Sequence, residues 1–80
     1  MSELIECFIR ILAIERDQVT PTLAYQSIPQ WDSVGHMALV AEIENTFNVT
    51  LDTDDIIGMS DFAKTIEILR KHGAALDVAA

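Results

Sequence analysis

Seventeen residues, Glu15 to Trp31, run between two helix-like stretches with no sustained apolar period, and they hold both prolines, Pro21 and Pro29. Connections inside compact domains have a median of only about 4–6 residues, so a loop this long has to be held down along its length. Val19, Leu23, Tyr25, Ile28 and Trp31 are the side chains placed to pin it. In a chain of 80 residues such a loop takes about a fifth of the length. What remains is enough for a few helices packed in a single layer around a thin core.

The flanking stretches are helical by period. From Ser2 to about Ile14, Leu4, Ile5, Phe8, Ile9, Ile11 and Leu12 fall on one broad face, with Glu3, Glu6 and Arg10 opposite. Ser2 is a suitable N-cap, Glu6 and Arg10 are spaced as an i,i+4 ion pair, and Cys7 lies at the margin of the apolar face as a small hydrophobe. A second helix starts at Asp32 or Ser33, capped by Asp32, and runs to about Phe47. It carries two apolar stripes. Leu39, Val40, Ile43 and Phe47 face the core, while Val34, Met37 and Ala41 are rotated away from it. The second stripe is either a wider core contact or an exposed strip that partners touch.

Asn48 to Leu51 is β-prone but has no second strand to pair with. Thr53 is placed to cap a short helix from Asp54 to about Gly58, with Asp54 and Asp55 solvated in its first turn. Ser60 is placed to cap a last helix in which Phe62, Ile66 and Leu69 recur on one face. Lys71 and His72 suit the negative end of that helix, Gly73 suits the residue beyond it, and 74–80 reads as a frayed tail. The fold class is all-α, a small four-helix bundle of three longer helices and one short one with a long first loop, in one domain spanning 1–80.

Composition narrows the function. Leu, Ile, Val and Phe make up 25 of the 80 residues, enough for the chain to fold. Thirteen acidic residues against five basic ones give a net charge of −8. The counterion-releasing cations that bind nucleic acid are too few, and anionic membrane surfaces repel the chain. Basic protein partners are steered towards it, and its self-repulsion favours a monomer. A single cysteine makes no internal disulfide, and the longest apolar run, Met37 to Ala41, falls far short of the ~18 residues of a membrane span. The acidic amino terminus lacks the basic region of a signal peptide, so the expectation is a cytoplasmic chain.

Two constellations resemble catalytic or metal sites and fall short of both. A calcium loop starting at Asp52 needs an oxygen ligand at Ile56, glycine at Ile57 and glutamate at Ala63, and all three fail. Ser33 and His36 stand one turn apart like a nucleophile and its base, but nothing in the sequence orients His36 and the chain has no room for an acyl pocket. Ser33 is notable for its position. A serine in the first turn of a helix presents its hydroxyl beside free amides, where an anionic phosphodiester is favoured.

The run Trp31-Asp32-Ser33-Val34-Gly35-His36-Met37, followed by Leu39-Val40 and Glu42-Ile43-Glu44-Asn45-Thr46-Phe47, resembles the acyl and peptidyl carrier protein family. It is similar to the family's Asp-Ser-Leu signature and the helix that signature opens. The length, acidity, long first loop and short third helix extend the resemblance over essentially the whole chain. It implies a carrier that is not itself an enzyme. Ser33 then takes a 4′-phosphopantetheine arm from coenzyme A, added by a phosphopantetheinyl transferase, and acyl or aminoacyl groups ride on it as thioesters. Partner enzymes load and process those groups. Asp32 matches the acid before the modified serine, Val34, Met37 and Ala41 match the face that enters partner clefts, Glu44 matches an acid that meets basic patches, and Ile56 matches a position beside the arm.

The chain also departs from the family pattern. Val34 replaces the usual leucine, and Gly35, Ala38 and Asn45 stand where fatty-acid carriers have acids. These replacements weigh against housekeeping fatty-acid synthesis. Trp31-Asp32-Ser33 with Gly35-His36-Met37 resembles discrete carriers of polyketide, nonribosomal peptide or related acyl-transfer pathways, and Met1 with the tail suits a free-standing chain. The alternative is an unmodified acidic helical adaptor that binds a basic partner through Val34, Met37 and Ala41.

Overall fold

Leu4, Cys7, Phe8 and Leu12 recur at helical spacing, and all four are buried along the inner face of α1, Ser2–Leu12. The computed structural model describes residues 2–74 and 76. After α1 come a 3₁₀ turn at Arg16–Gln18, α2 (Ser33–Phe47), α3 (Thr53–Gly58) and α4 (Phe62–Lys71), with no strand among the described residues. The fold is an all-α four-helix bundle with one short helix and a long first loop. Among the described residues no helix is long and apolar enough to cross a membrane.

Phe8 is the hub of the core. Its ring meets Trp31 edge-on at 5.3 Å and Phe62 at 5.0 Å, so α1, the end of the long loop and α4 converge on one aromatic cluster. Leu39, Val40 and Ile43 of α2 complete the packing, as their period requires. Cys7 is fully buried and donates to Thr46 Oγ1, and burial pushes its thiol pKa up, so it remains a protonated small hydrophobe.

The long loop is pinned as its apolar residues require, with Leu23 and Trp31 buried and Val19, Tyr25 and Ile28 packed on the core. Backbone bonds add to this. Tyr25 N–H donates to Ser60 O and Phe62 N–H to Leu23 O, both at 2.9 Å, around an antiparallel bridge between Ala24 and Asp61.

Local boundaries differ from the sequence reading in four places. α1 stops at Leu12 because Ala13 turns left-handed (φ 54°), which swings Ile14 into the core. Asp52, not Thr53, caps α3, since its carboxylate reaches the Asp55 amide while Asp55 answers to the Asp52 amide. Asp61, not Ser60, caps α4, since the Asp61 backbone is extended and its carboxylate accepts the Lys64 amide, while the Ser60 carbonyl is taken by Tyr25 of the loop. Arg10 pairs across to Glu42 of α2, and Glu6 takes Arg16 instead. At the carboxyl end Gly73 adopts φ 74° beyond the last turn, as expected. Ala74 N–H bonds Leu69 O, and Ala74 and Leu76 pack on the core, while the rest of the expected frayed tail, 75 and 77–80, lies outside the described residues.

Gly35 explains one departure from the acidic pattern. A Cβ there would stand 2.4 Å from the backbone carbonyl oxygen of Gln30, so the loop end approaches α2 where only glycine fits. Gly35→Ala gains helix propensity but forces the Gln30–Trp31 backbone away. We expect a net loss of about 2 kcal/mol, read as a melting temperature roughly 10 °C lower. An unchanged melting temperature would show that the loop end yields freely.

Candidate functional site

Asp32 sets the start of α2. Its backbone is extended, its Oδ1 accepts the Gly35 amide at 2.8 Å, and its carbonyl accepts His36 N–H at 2.8 Å. Ser33 is therefore the first helical residue, and its side chain is exposed with no hydrogen bond among the described residues. The amides of Ser33 and Val34 have no partner among the described residues. At the positive end of a 15-residue helix, these two donors and the helix dipole favour an anionic oxygen attached at Ser33 Oγ.

The outward face of α2 beyond Ser33 is apolar and uncharged. Val34 is 77% exposed and Met37 54%, and Ala38, Ala41 and Asn45 are exposed beside them. The second stripe is thus an exposed strip, not a wider core contact. Of the two acids of α2, one is ion-paired and the other is held by a backbone amide. Glu42 is paired with Arg10, and half-buried Glu44 accepts the Leu51 amide at 2.8 Å. Ile57 of α3, which the sequence reading passed over, is 74% exposed.

His36 lies one turn from Ser33 and, against the sequence reading, it is firmly oriented. Trp31 Nε1–H donates to His36 Nδ1 at 2.9 Å, and His36 Nε2–H donates to the Ile56 carbonyl at 2.9 Å. Both bonds together require the neutral Nε2–H tautomer. The ring stacks on Trp31 at 20° and tilts against Tyr25. With both nitrogens engaged, His36 has no lone pair free to take a proton from Ser33, so the nucleophile–base pair does not form. A fully buried indole N–H needs an acceptor, and His36 five residues on was the available signal.

His36 also forms one wall of a groove of about 260 Å³ lined by Tyr25, Ile56, Ile57, Met59 and Ser60. Ile56 itself is half-buried.

Asp55 suits a solvated first turn by sequence, but it is buried, 2% exposed. Lys71 Nζ donates to its Oδ1 at 2.7 Å and His72 Nε2 to its Oδ2 at 2.6 Å. These bonds, Lys71 first, hold the Asp55 carboxyl far below the usual carboxylate range despite its burial. The same contact raises the Lys71 pKa. Two residues that suit the end of α4 thereby clamp α3 in place.

Among known proteins, the chain is 28% identical over 60 residues to a protein named acyl carrier protein from Lactobacillus johnsonii, covering 75% of each chain. No family model matches, and no solved structure matches.

Proposed function

We propose that this chain is an acyl carrier protein and not an enzyme. In this reading Ser33 carries a 4′-phosphopantetheine arm from coenzyme A, and acyl or aminoacyl groups travel on the arm's thiol as thioesters. The observation that carries the reading is the exposed hydroxyl of Ser33, set at the amide-rich start of α2 and flanked by an uncharged apolar strip. The named relative supports the same role. The arm would supply the thiol that holds the cargo, and tethering would give that cargo a high effective concentration at each partner.

The chain's own residues have separate tasks in this scheme. Asp32 fixes the first turn through Gly35, and the Ser33 and Val34 amides would be the donors available to hold the phosphodiester. Val34, Met37 and Ala41 form the surface that any enzyme reaching Ser33 must cover, because Met37 is the next-turn neighbour of Ser33. Glu44 and Ile56 border that surface. The partners are a phosphopantetheinyl transferase and the enzymes that load and process the cargo, in the cytoplasm. The Trp31-Asp32-Ser33 and Gly35-His36-Met37 runs, with the uncharged α2 face, favour polyketide or nonribosomal peptide-type synthesis over housekeeping fatty-acid synthesis.

The test is intact mass after incubation with coenzyme A, magnesium and a broad-specificity transferase. The expected result is a gain of one arm. No gain with several active transferases would overturn the carrier reading and leave an unmodified adaptor as the better account. Met37→Glu should raise KM for the transferase about fivefold or more while moving stability by less than about 0.5 kcal/mol. A large destabilisation would place Met37 in the core.

A further inference from the structure

We infer that Trp31 and His36 form a polar staple that positions Ser33 for attack: it fixes the angle at which the chain enters α2, and with it the direction of the Ser33 hydroxyl. The inference rests on the carrier reading and adds a positioning residue to it. His36 acts on Ser33 through Trp31, since both of its ring nitrogens are engaged away from the serine.

At many helix starts the residue before the cap packs on the fourth residue of the helix, and that contact sets the entry angle of the chain. The pair is usually apolar. Here Asp32 is the cap, Trp31 precedes it, and His36 is the fourth residue of α2. Trp31 Nε1–H donates to His36 Nδ1 at 2.9 Å, and the two rings stack with centroids 6.1 Å apart. The hydrogen bond adds a direction that an apolar contact lacks.

Both ends of the staple are anchored. Trp31 is fully buried, its amide donates to Ile28 O at 3.2 Å, and its carbonyl accepts Gln26 N–H at 2.8 Å. His36 bonds the Asp32 carbonyl through its amide and the Ile56 carbonyl through Nε2–H. Between the two, Gly35 is held by Asp32 Oδ1 and packed against Gln30 O. Ser33 and Val34 use neither side chain nor amide for a bond among the described residues, so the frame around them decides where the exposed hydroxyl points.

Arm attachment depends on that direction. Ser33 Oγ bonds the phosphorus that bears the pantetheine as the pyrophosphate P–O bond of coenzyme A breaks. Adenosine 3′,5′-bisphosphate leaves with the bonding pair, and the hydroxyl proton passes to a base of the transferase. Misplacing an attacking atom by an ångström can cost about 10²-fold. A loosened staple leaves the rest of α2 seated by Leu39, Val40 and Ile43, so Met37 and Ala41 still present the docking face. Binding is kept and the chemical step slows.

The experiment separates the two bonds of His36. Asparagine sets its side-chain oxygen where Nδ1 lies, so His36→Asn keeps the Trp31 bond and loses the Ile56 bond. Glutamine sets its amide nitrogen where Nε2 lies, so His36→Gln does the reverse. With coenzyme A, magnesium and a transferase, His36→Gln and His36→Ala should lower kcat for arm attachment about tenfold, with KM for the carrier within about twofold of wild type. His36→Asn should keep kcat within about twofold. Trp31→Phe removes the donor and cuts the same bond if the other variants do not fold. Adding His36→Ala to it should lower kcat no further.

Equal losses in His36→Asn and His36→Gln, or recovery in His36→Gln alone, would overturn the inference. So would a kcat that follows the melting temperature across the variants, which is what a merely structural contact gives. If wild type takes no arm, the carrier reading fails, and the staple is then read from hydrogen exchange of the Gly35 amide in the unmodified chain. Exchange about fivefold faster in His36→Gln than in His36→Asn would sustain the staple. Equal rates would overturn it.

Discussion

Ser33→Ala is expected to abolish arm attachment completely while moving the melting temperature by no more than about 2–4 °C. The two halves of that result have separate causes. Attachment needs the serine oxygen as nucleophile, and alanine has none. The fold does not need it, because the helix is capped by Asp32, whose carboxylate holds the Gly35 amide and whose carbonyl holds His36 N–H. Ser33 itself is exposed and its hydroxyl bonds nothing among the described residues, so alanine in its place removes no packing there and slightly favours the helix. Intact mass and a thermal melt on the same sample check both halves. A mass gain that survives the substitution would put the arm on another residue. A collapse of the melt would make Ser33 structural and remove the reason for reading it as an attachment point.

Residues within about one turn of each other made this part of the molecule legible in advance. The Asp32 cap, the Ser33 start and the two stripes of α2 all follow from spacings of three or four residues. The long loop was legible for a different reason. Apolar residues in a polar, period-free stretch have to go somewhere, and Leu23 and Trp31 went into the core. The errors at Thr53 and Ser60 are one-residue shifts in which a neighbouring aspartate took the cap, and in the second case the deciding contact came from Tyr25, far back in the loop.

Contacts that pair distant residues left no trace in local pattern. His36 reaches Ile56 across 20 positions, and Asp55 reaches Lys71 and His72 across 16 and 17. Asp55 was the harder of the two to foresee. In a run of four residues containing three aspartates, nothing in the sequence marks the one that turns inward. Lys71 and His72 already had a sufficient explanation as complements to the negative end of α4.

Asp55→Asn should therefore lower the melting temperature well beyond Asp54→Asn, its exposed neighbour, and should do so in a pH-dependent way. The bonds from Lys71 and His72 depress the folded-state pKa of Asp55 below its unfolded value. A group of that kind contributes its full stabilisation above the unfolded carboxylate pKa, about 3.9, and loses it as pH falls from there towards the folded value. Lys71 has the opposite sign. Its folded pKa is raised, so its contribution is complete below about 10.4 and fades at higher pH. Wild type should thus show a plateau of stability between about pH 4 and pH 10. Asp55→Asn should lower that plateau and flatten its acid limb, so that the two melting curves converge towards pH 2. Curves that stay parallel down to pH 2 would mean that the buried carboxylate is not the source of the difference. The clamp also bears on the site. Asp55 precedes the residue whose carbonyl holds His36, so freeing it loosens the acceptor that fixes the imidazole. If the two contacts act as one unit, Asp55→Asn at neutral pH should shift the Trp31 indole resonance as well as the melting point, and Asp54→Asn should shift neither.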